Sequence, residues 1–287
     1  MVGKRWGAAL AAVVVAASGL IATSGSAGAD VLGLGGSCPA AVVIPARGSG
    51  DPVASQQYGN SRSDGYEGPL LSTLLAATYR DDPSIASIPV VTTGPGYRAV
   101  SVPEGTANRS FGISIASGVA AVIARYDAVS AAGGFGCRPK AVLVGYSQGA
   151  AVVRAAAIAL APRRVVSAVM LFGDPRQRPS APGVVGAGST GSGVWRDEGV
   201  ALASGVSTVG IETYYQLPGL QRWALCHDRD PLCDFGPDAD FAGDPHKTYL
   251  QPDQLFVPAA GQAPTSQTEL QVAVATLRGF IAGATRR

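Results

Sequence analysis

The sequence is poor in histidine, methionine and charge. Its 287 residues include 2 His and 2 Met, and only 15% are Asp, Glu, Lys or Arg. So few histidines restrict any imidazole base to His227 or His246. Cysteine is scarce too, at four, with no C-x2-C spacing and no histidine grouped with both cysteine pairs. That excludes a zinc centre of the usual ligand pattern, and no metal is expected. Beyond residue 29 no apolar stretch is read as reaching the ~18–20 residues that span a bilayer. No internal repeat and no linker composition divides the chain, so one large domain over residues 30–287 is expected.

What is present begins with a leader. Lys4 and Arg5 precede an apolar run from Ala8 to Ala22, and Ala27-Gly28-Ala29 is a small-residue cleavage pattern before Asp30. Residues 1–29 therefore read as a signal peptide, and the protein as exported. Without Lys4 and Arg5 the 22 basic residues balance the 20 acidic ones. A neutral chain lacks the footprint for nucleic acid or anionic lipid, so a neutral molecule or surface is the expected partner of an expected monomer. An even cysteine count in an exported chain predicts two disulfides. Cys226 and Cys233 close a short C-x6-C ring. Cys38 with Cys137 follows by elimination, closing a loop of about 100 residues worth up to about 4–5 kcal/mol.

Apolar spacing outlines the elements. Ala40 to Ala46, Ile88 to Thr92, Lys140 to Val144 and Val165 to Phe172 read as strands. Glu67 to Tyr79, Ser114 to Ala131 and Gln148 to Leu160 read as helices between and after them. This alternation predicts an α/β domain around a mostly parallel sheet, and the continuous apolar strands fit a sheet covered on both faces. Gly183 to Gly193 reads as a mobile low-complexity loop. Thr213 to Leu217 and Arg222 to Cys226 read as further strands. A last helix spans Ser266 to Ala284, with Ser266 and Glu269 spaced as a capping box. The sequon Asn108-Arg109-Ser110 is read as chance.

The chemistry centres on "GYSQG", residues 145–149. A serine in G-x-S-x-G between a strand and a helix is a nucleophile on a strained turn, where residues two away must be small. The helix then aims its N-terminal dipole at the serine, which suits a developing oxyanion. The ordinary alternative is a turn in a chain with 38 glycines. No other serine completes the pattern; Ser114 in "GISIA" comes closest but follows a polar loop. A serine nucleophile needs a base and an orienting acid. His246 is preferred as base, because His227 sits inside the cysteine ring with only Asp174, Asp197, Glu198 and Glu212 upstream. His227 is expected to be an exposed ring residue. Asp228, Asp230, Asp234, Asp238, Asp240 and Asp244 remain open as the acid. Asp230 lies within the ring, and Asp244 is very near His246 in sequence.

"CPAAVVIPARGSG", "GYSQGA", "CHDRDPLC" and "PHKTY" together resemble the cutinase family of serine esterases, over most of the chain from Cys38 to the last helix. The match looks closest to the actinobacterial members. The resemblance implies a three-layer α/β/α hydrolase sandwich with a central parallel sheet and a minimal lid. It implies Ser147 as nucleophile, Asp230 as acid in the C-x3-D-x2-C ring and His246 as base. Ser49, in "ARGS", would give a backbone N–H and hydroxyl to the oxyanion, and Gln148 a second N–H. No cofactor is implied. The expected substrates are short- to medium-chain acyl esters, a cutin-like polyester or lipid. Acetylated xylan is an alternative, and a catalytically silent wall-binding protein on the same fold is an alternative of another class. The segment from Pro175 to Cys226 is longer than in compact fungal members and carries Trp195, Tyr214, Tyr215, Leu217, Leu220 and Trp223. A flap, an acyl-pocket wall or extra packing are its possible uses. The "FAGDPHKTY" approach to His246 is also unlike the family's apolar lead-in.

Overall fold

The computed structural model describes residues 37–286 apart from residues 81 and 243, so the leader read at residues 1–29 lies outside the described residues. In chain order the strands are β1 (Ala41–Ala46), β2 (Gln57–Tyr58), β3 (Ser61–Arg62), β4 (Lys140–Tyr146), β5 (Val166–Phe172), β6 (Val184–Val185) and β7 (Gln221–Leu225). The helices are α1 (Pro69–Tyr79), α2 (Val102–Ala107), α3 (Phe111–Ala132), α4 (Gln148–Leu160), α5 (Glu198–Ala203), α6 (Ile211–Gln216) and α7 (Glu269–Thr285). Five strands form one sheet in the order β1-β4-β5-β7-β6, and each neighbouring pair is parallel. Strands β2 and β3 make a separate small hairpin.

Side chains alternate across the sheet, and both sets are apolar. Val42, Ile44, Leu143, Val169 and Leu171 pack with Ile115, Val122 and Val129 of α3 and with Val153 and Ala156 of α4. Val43, Val142, Val144, Met170 and Phe172 face the other way, toward Leu71, Leu74 and Leu75 of α1 and Leu277 and Ile281 of α7. This three-layer α/β/α sandwich accounts for strands that read as unbroken apolar runs. A parallel sheet also brings all its strand C-termini to one edge, where loops can combine residues from distant sequence. Both expected disulfides form, so no cysteine is free for a metal.

Several expectations change. The stretch from Ile88 to Thr92 is not a strand but a single bridge from Val90 to Val43, because Pro89 offers a carbonyl and no N–H to the ladder. Thr213–Leu217 is mostly helical, in α6, because Tyr214 and Tyr215 both pack on the guanidinium of Arg154, at 4.3 and 4.7 Å. That contact outweighs their strand preference. The Gly183–Gly193 stretch is not a loose loop. It supplies β6 and then wraps the cysteine ring so closely that a Cβ on Gly188 would lie 2.7 Å from the carbonyl carbon of His227. The cap of α7 is Thr268 with Gln271, not Ser266 with Glu269. Glu269 instead turns inward and is buried. Finally, α3 is long and apolar enough to cross a membrane, contrary to the sequence reading, but its apolar stripe is spent on the sheet and on α4.

The long segment after Pro175 is tied down by packing. Trp195 is buried 5.4 Å from the ring of Phe111, and Tyr214 is buried beside Arg154. Arg154 of α4 is itself 1% exposed and ion-paired to Asp174. Its guanidinium also donates to the carbonyls of Arg176 and Ile211, at 2.8 and 3.0 Å. Burial opposes that charge, while Asp174 and the two tyrosines raise the Arg154 pKa above its ordinary value. The neighbouring Arg176 is pushed down to about 10, by burial first and then by Arg154.

Candidate active site

The turn from β4 to α4 carries Ser147 with φ 55° and ψ −122°. A left-handed φ is strained for a residue with a Cβ, and it persists because the surroundings fix it. The Ser147 N–H donates to the carbonyl of Phe172 at the end of β5, at 2.9 Å. The two glycines of the motif are sterically required. A Cβ on Gly145 would lie 2.6 Å from the Gly149 carbonyl oxygen. One on Gly149 would lie 2.5 Å from that of Arg47, with the Ala46 oxygen closer still. Gln148 opens α4, so its N–H has no partner within the helix. Its side-chain Oε1 is held by the hydroxyls of Tyr97, at 2.9 Å, and Ser114, at 3.0 Å. Ser114 is therefore a fastening of Gln148.

The acid and imidazole come from the loops after β7. Asp230 is fully buried within the Cys226–Cys233 ring. His246 Nδ1 lies 2.9 Å from Asp230 Oδ2 and 3.1 Å from Oδ1. Tyr249 donates its hydroxyl to Oδ2 at 2.6 Å, and the Leu232 N–H donates to Oδ1 at 2.7 Å. Burial alone would raise the Asp230 pKa; the hydrogen bonds and charge from His246, with those from Tyr249 and Leu232, outweigh it and hold the carboxyl below its usual range. The imidazole stacks on the ring of Tyr146 at 5.0 Å, and the Tyr146 hydroxyl donates to the His246 carbonyl at 3.0 Å.

Gly173 joins the two halves. It follows Phe172, which holds Ser147, and it has φ 55°. A Cβ there would lie 2.6 Å from His246 Nδ1 and 3.3 Å from Asp230 Oδ2, with His246 Cε1 nearer still. Ser147 is thus bonded to the last residue of β5, and the His246 imidazole lies close against the next residue. His246 Nε2 is buried and has no hydrogen-bond partner among the described residues. No Ser147 Oγ–His246 Nε2 hydrogen bond is formed; catalytic hydrogen bonds of this kind commonly tighten only when substrate binds.

Ser49 lies in the loop after β1 and is half-buried. The loop is fixed on both sides. The Gly48 N–H donates to Asp51 Oδ2 at 2.9 Å, and the Gly50 N–H donates to the Ala99 carbonyl at 2.8 Å. Burial raises the Asp51 pKa, opposed by the Gly48 N–H, Arg47 and His246. Arg47 is buried beneath the loop and donates to the carbonyls of Tyr97 and Arg98, at 3.1 and 3.2 Å.

Sequence reasoning missed Gly173, the Tyr249 hydroxyl and the environment of His227. The last is a correction: His227 is not exposed but 7% accessible, with Nε2 2.7 Å from Glu269 Oε1. The scarcity of histidine was the signal that could have drawn attention to it.

A strand–serine–helix elbow at the carboxyl edge of a three-layer parallel sandwich, with an Asp–His pair beside it, defines an α/β-hydrolase. The family model described as cutinase matches residues 114–257, just over half of the chain. The chain belongs to the cutinase family, whose fold is that of an esterase-like α/β-hydrolase. Solved structures that match the chain include a cutinase-like protein from Cryptococcus sp., 18% identical, covering 87% of this chain and 96% of its own, with a TM-score of 0.49. An acetylxylan esterase is 20% identical, covers 87% of this chain and 100% of its own, and scores 0.48. A cutinase from Trichoderma reesei, in complex with a phosphonate inhibitor, is 21% identical, covers 90% and 84%, and scores 0.42. Comparison with curated proteins finds no match.

Proposed function

We propose that this chain is an exported serine esterase acting on neutral carboxylic esters of short to medium acyl length. The observation that carries this reading is the buried Asp230–His246 hydrogen bond beside the Ser147 elbow. Ser147 Oγ attacks the ester carbonyl carbon, and its proton passes to His246 Nε2. Asp230 holds the Nδ1–H and favours the imidazolium that forms. The oxyanion is met by the N–H groups of Gln148 and Ser49 and by the Ser49 hydroxyl. Removing one such donor typically slows turnover by ~10²–10³. The imidazolium gives its proton to the departing alkoxide, leaving an acyl-serine. Water, deprotonated by His246, then attacks that ester, releasing the carboxylic acid and restoring the serine.

Residues 30–287 act as one catalytic unit and work as a monomer at a neutral molecule or surface. Ser147→Ala should abolish hydrolysis of p-nitrophenyl butyrate while leaving the thermal midpoint within about 2 °C; retained turnover would remove Ser147 from the mechanism. A p-nitrophenyl series from acetyl to palmitoyl, run beside cutin and acetylxylan, defines the substrate range. A rate that peaks at butyryl to octanoyl supports the acyl-ester reading. Turnover of acetylxylan and the acetyl ester alone would replace it with a polysaccharide deacetylase.

A further inference from the structure

The second of the two histidines has a built environment that the reaction above does not use. His227 follows the first cysteine of the ring and is buried against α7. Its Nδ1 lies 2.9 Å from the carbonyl of Pro245, the residue before His246. Its Nε2 lies 2.7 Å from Glu269 Oε1. The other carboxylate oxygen, Oε2, accepts the N–H of Leu250 at 3.1 Å. The His227 ring stacks on Tyr249 at 4.0 Å, and its backbone N–H donates to the Tyr249 hydroxyl at 3.1 Å. Three residues of the turn bearing His246 are thus fastened to one buried His–Glu pair: Pro245, Tyr249 and Leu250.

We propose that His227, paired with Glu269, is a positioning residue for the reaction, holding the Pro245–Lys247 turn so that the His246 imidazole meets Asp230 and Ser147. The proposal rests on the triad reading. The chemistry of the contacts fixes the protons. A carbonyl can only accept, so Nδ1 carries a proton. A carboxylate also only accepts, so the pair must hold a second proton between Nε2 and Oε1 for both contacts to be hydrogen bonds. When that proton is lost, a neutral ring with one N–H keeps one of the two. The groups facing His227 are Glu269 from α7, Asp230 from its own ring, and Thr248 and Tyr249 from the turn. The segment after β6 brings the backbone of Gly188 against its carbonyl. Burial works against the charge, but the hydrogen bond and charge of Glu269, the Pro245 carbonyl and Asp230 outweigh it and raise the His227 pKa.

Two variants of the full chain separate this role from plain packing. Glu269→Ala leaves Nε2 and the Leu250 N–H without their partner. Its kcat should fall by about 10- to 100-fold, the scale of a ~1 Å displacement of a reacting group, with KM within about twofold. Glu269→Gln can restore both contacts: its carbonyl accepts from Leu250, and its NH2 donates to Nε2 of a neutral ring whose Nδ1–H stays on Pro245. It should recover kcat to within about threefold of wild type at neutral pH. Wild-type kcat should decline on the alkaline side as the pair loses its proton, and Glu269→Gln should lack that decline. Nitrogen-15 NMR of the wild type should find His227 holding the second proton to a higher pH than an ordinary histidine.

A wild-type kcat and pH profile in Glu269→Ala would overturn the proposal. So would Glu269→Gln as impaired as Glu269→Ala, or a His227 that is neutral at pH 6 with an ionised Glu269. If Glu269→Ala does not fold, Glu269→Gln and the NMR titration still decide it. Failure of the triad reading registers separately, as hydrolysis that survives Ser147→Ala.

Discussion

Replacing Gly173 by alanine tests how narrowly the site is set. Gly173 has φ 55°, a conformation that costs an L-residue roughly 1–2 kcal/mol. For a domain of this size that lowers the thermal midpoint by about 2–8 °C. The new methyl also meets His246. A Cβ 2.6 Å from Nδ1 must be relieved by about 0.8 Å to reach ordinary contact at 3.4 Å, and the imidazole is the movable partner. A shift of ~1 Å in a reacting group costs on the order of 10² in rate. Gly173→Ala should therefore lower kcat/KM for p-nitrophenyl butyrate by about 10²-fold while remaining folded. Gly136 supplies the control. Its φ is 80°, and a Cβ there meets nothing within 4 Å. Gly136→Ala should lose comparable stability and keep its turnover. Full activity in Gly173→Ala, or an equal loss in Gly136→Ala, would refute the steric argument.

Other predictions address the supports of the site. Tyr249→Phe removes the 2.6 Å hydrogen bond to Asp230. Hydrogen bonds to charged groups are worth about 1.5–3 kcal/mol, so turnover should fall by roughly 10-fold or more, measured as kcat at neutral pH; an unchanged kcat would count against that bond. The Cys38–Cys137 disulfide closes 99 residues of sequence separation. Its double serine variant should lose up to about 4–5 kcal/mol in urea unfolding, with little change in the kcat of the folded fraction. The raised pKa of His227 gives stability a pH dependence. The folded value lies above the unfolded one near ~6.5, so its contribution is complete below that pH and is lost as pH rises through the folded value. Melting curves followed upward in pH from about 6.5 should show this loss, and Glu269→Gln should not.

The parts legible in the sequence are those set by local spacing. Strands β1, β4 and β5 and helices α3 and α4 follow from apolar periodicity, and Ser147 from two glycines at fixed distance. The Cys226–Cys233 ring follows from spacing alone, and Asp230 stood out among six candidate carboxylates only through the family resemblance. What stayed hidden depends on partners distant in sequence. Glu269 meets His227 across 42 residues, and in the sequence it looks like a helix-capping glutamate. Tyr214 and Tyr215 look like strand residues until Arg154 of α4 is seen to pack against both rings. Gly173 is one glycine among 38, and its need to be glycine comes from an imidazole 73 positions later. The Gly183–Gly193 stretch looks loose because its order comes from the disulfide ring it wraps.

The central claim is that Ser147 is activated by His246 held on Asp230. An organophosphate ester tests it most directly, because only an activated serine is phosphorylated at a useful rate. Incubated with a molar excess of paraoxon and followed by intact mass and peptide mapping, the wild-type chain should gain one diethylphosphoryl group, on Ser147, in step with loss of hydrolysis. His246→Ala should stay unlabelled over the same interval. No adduct on an actively hydrolysing wild type, an adduct on another residue, or labelling of His246→Ala at the wild-type rate would contradict the account.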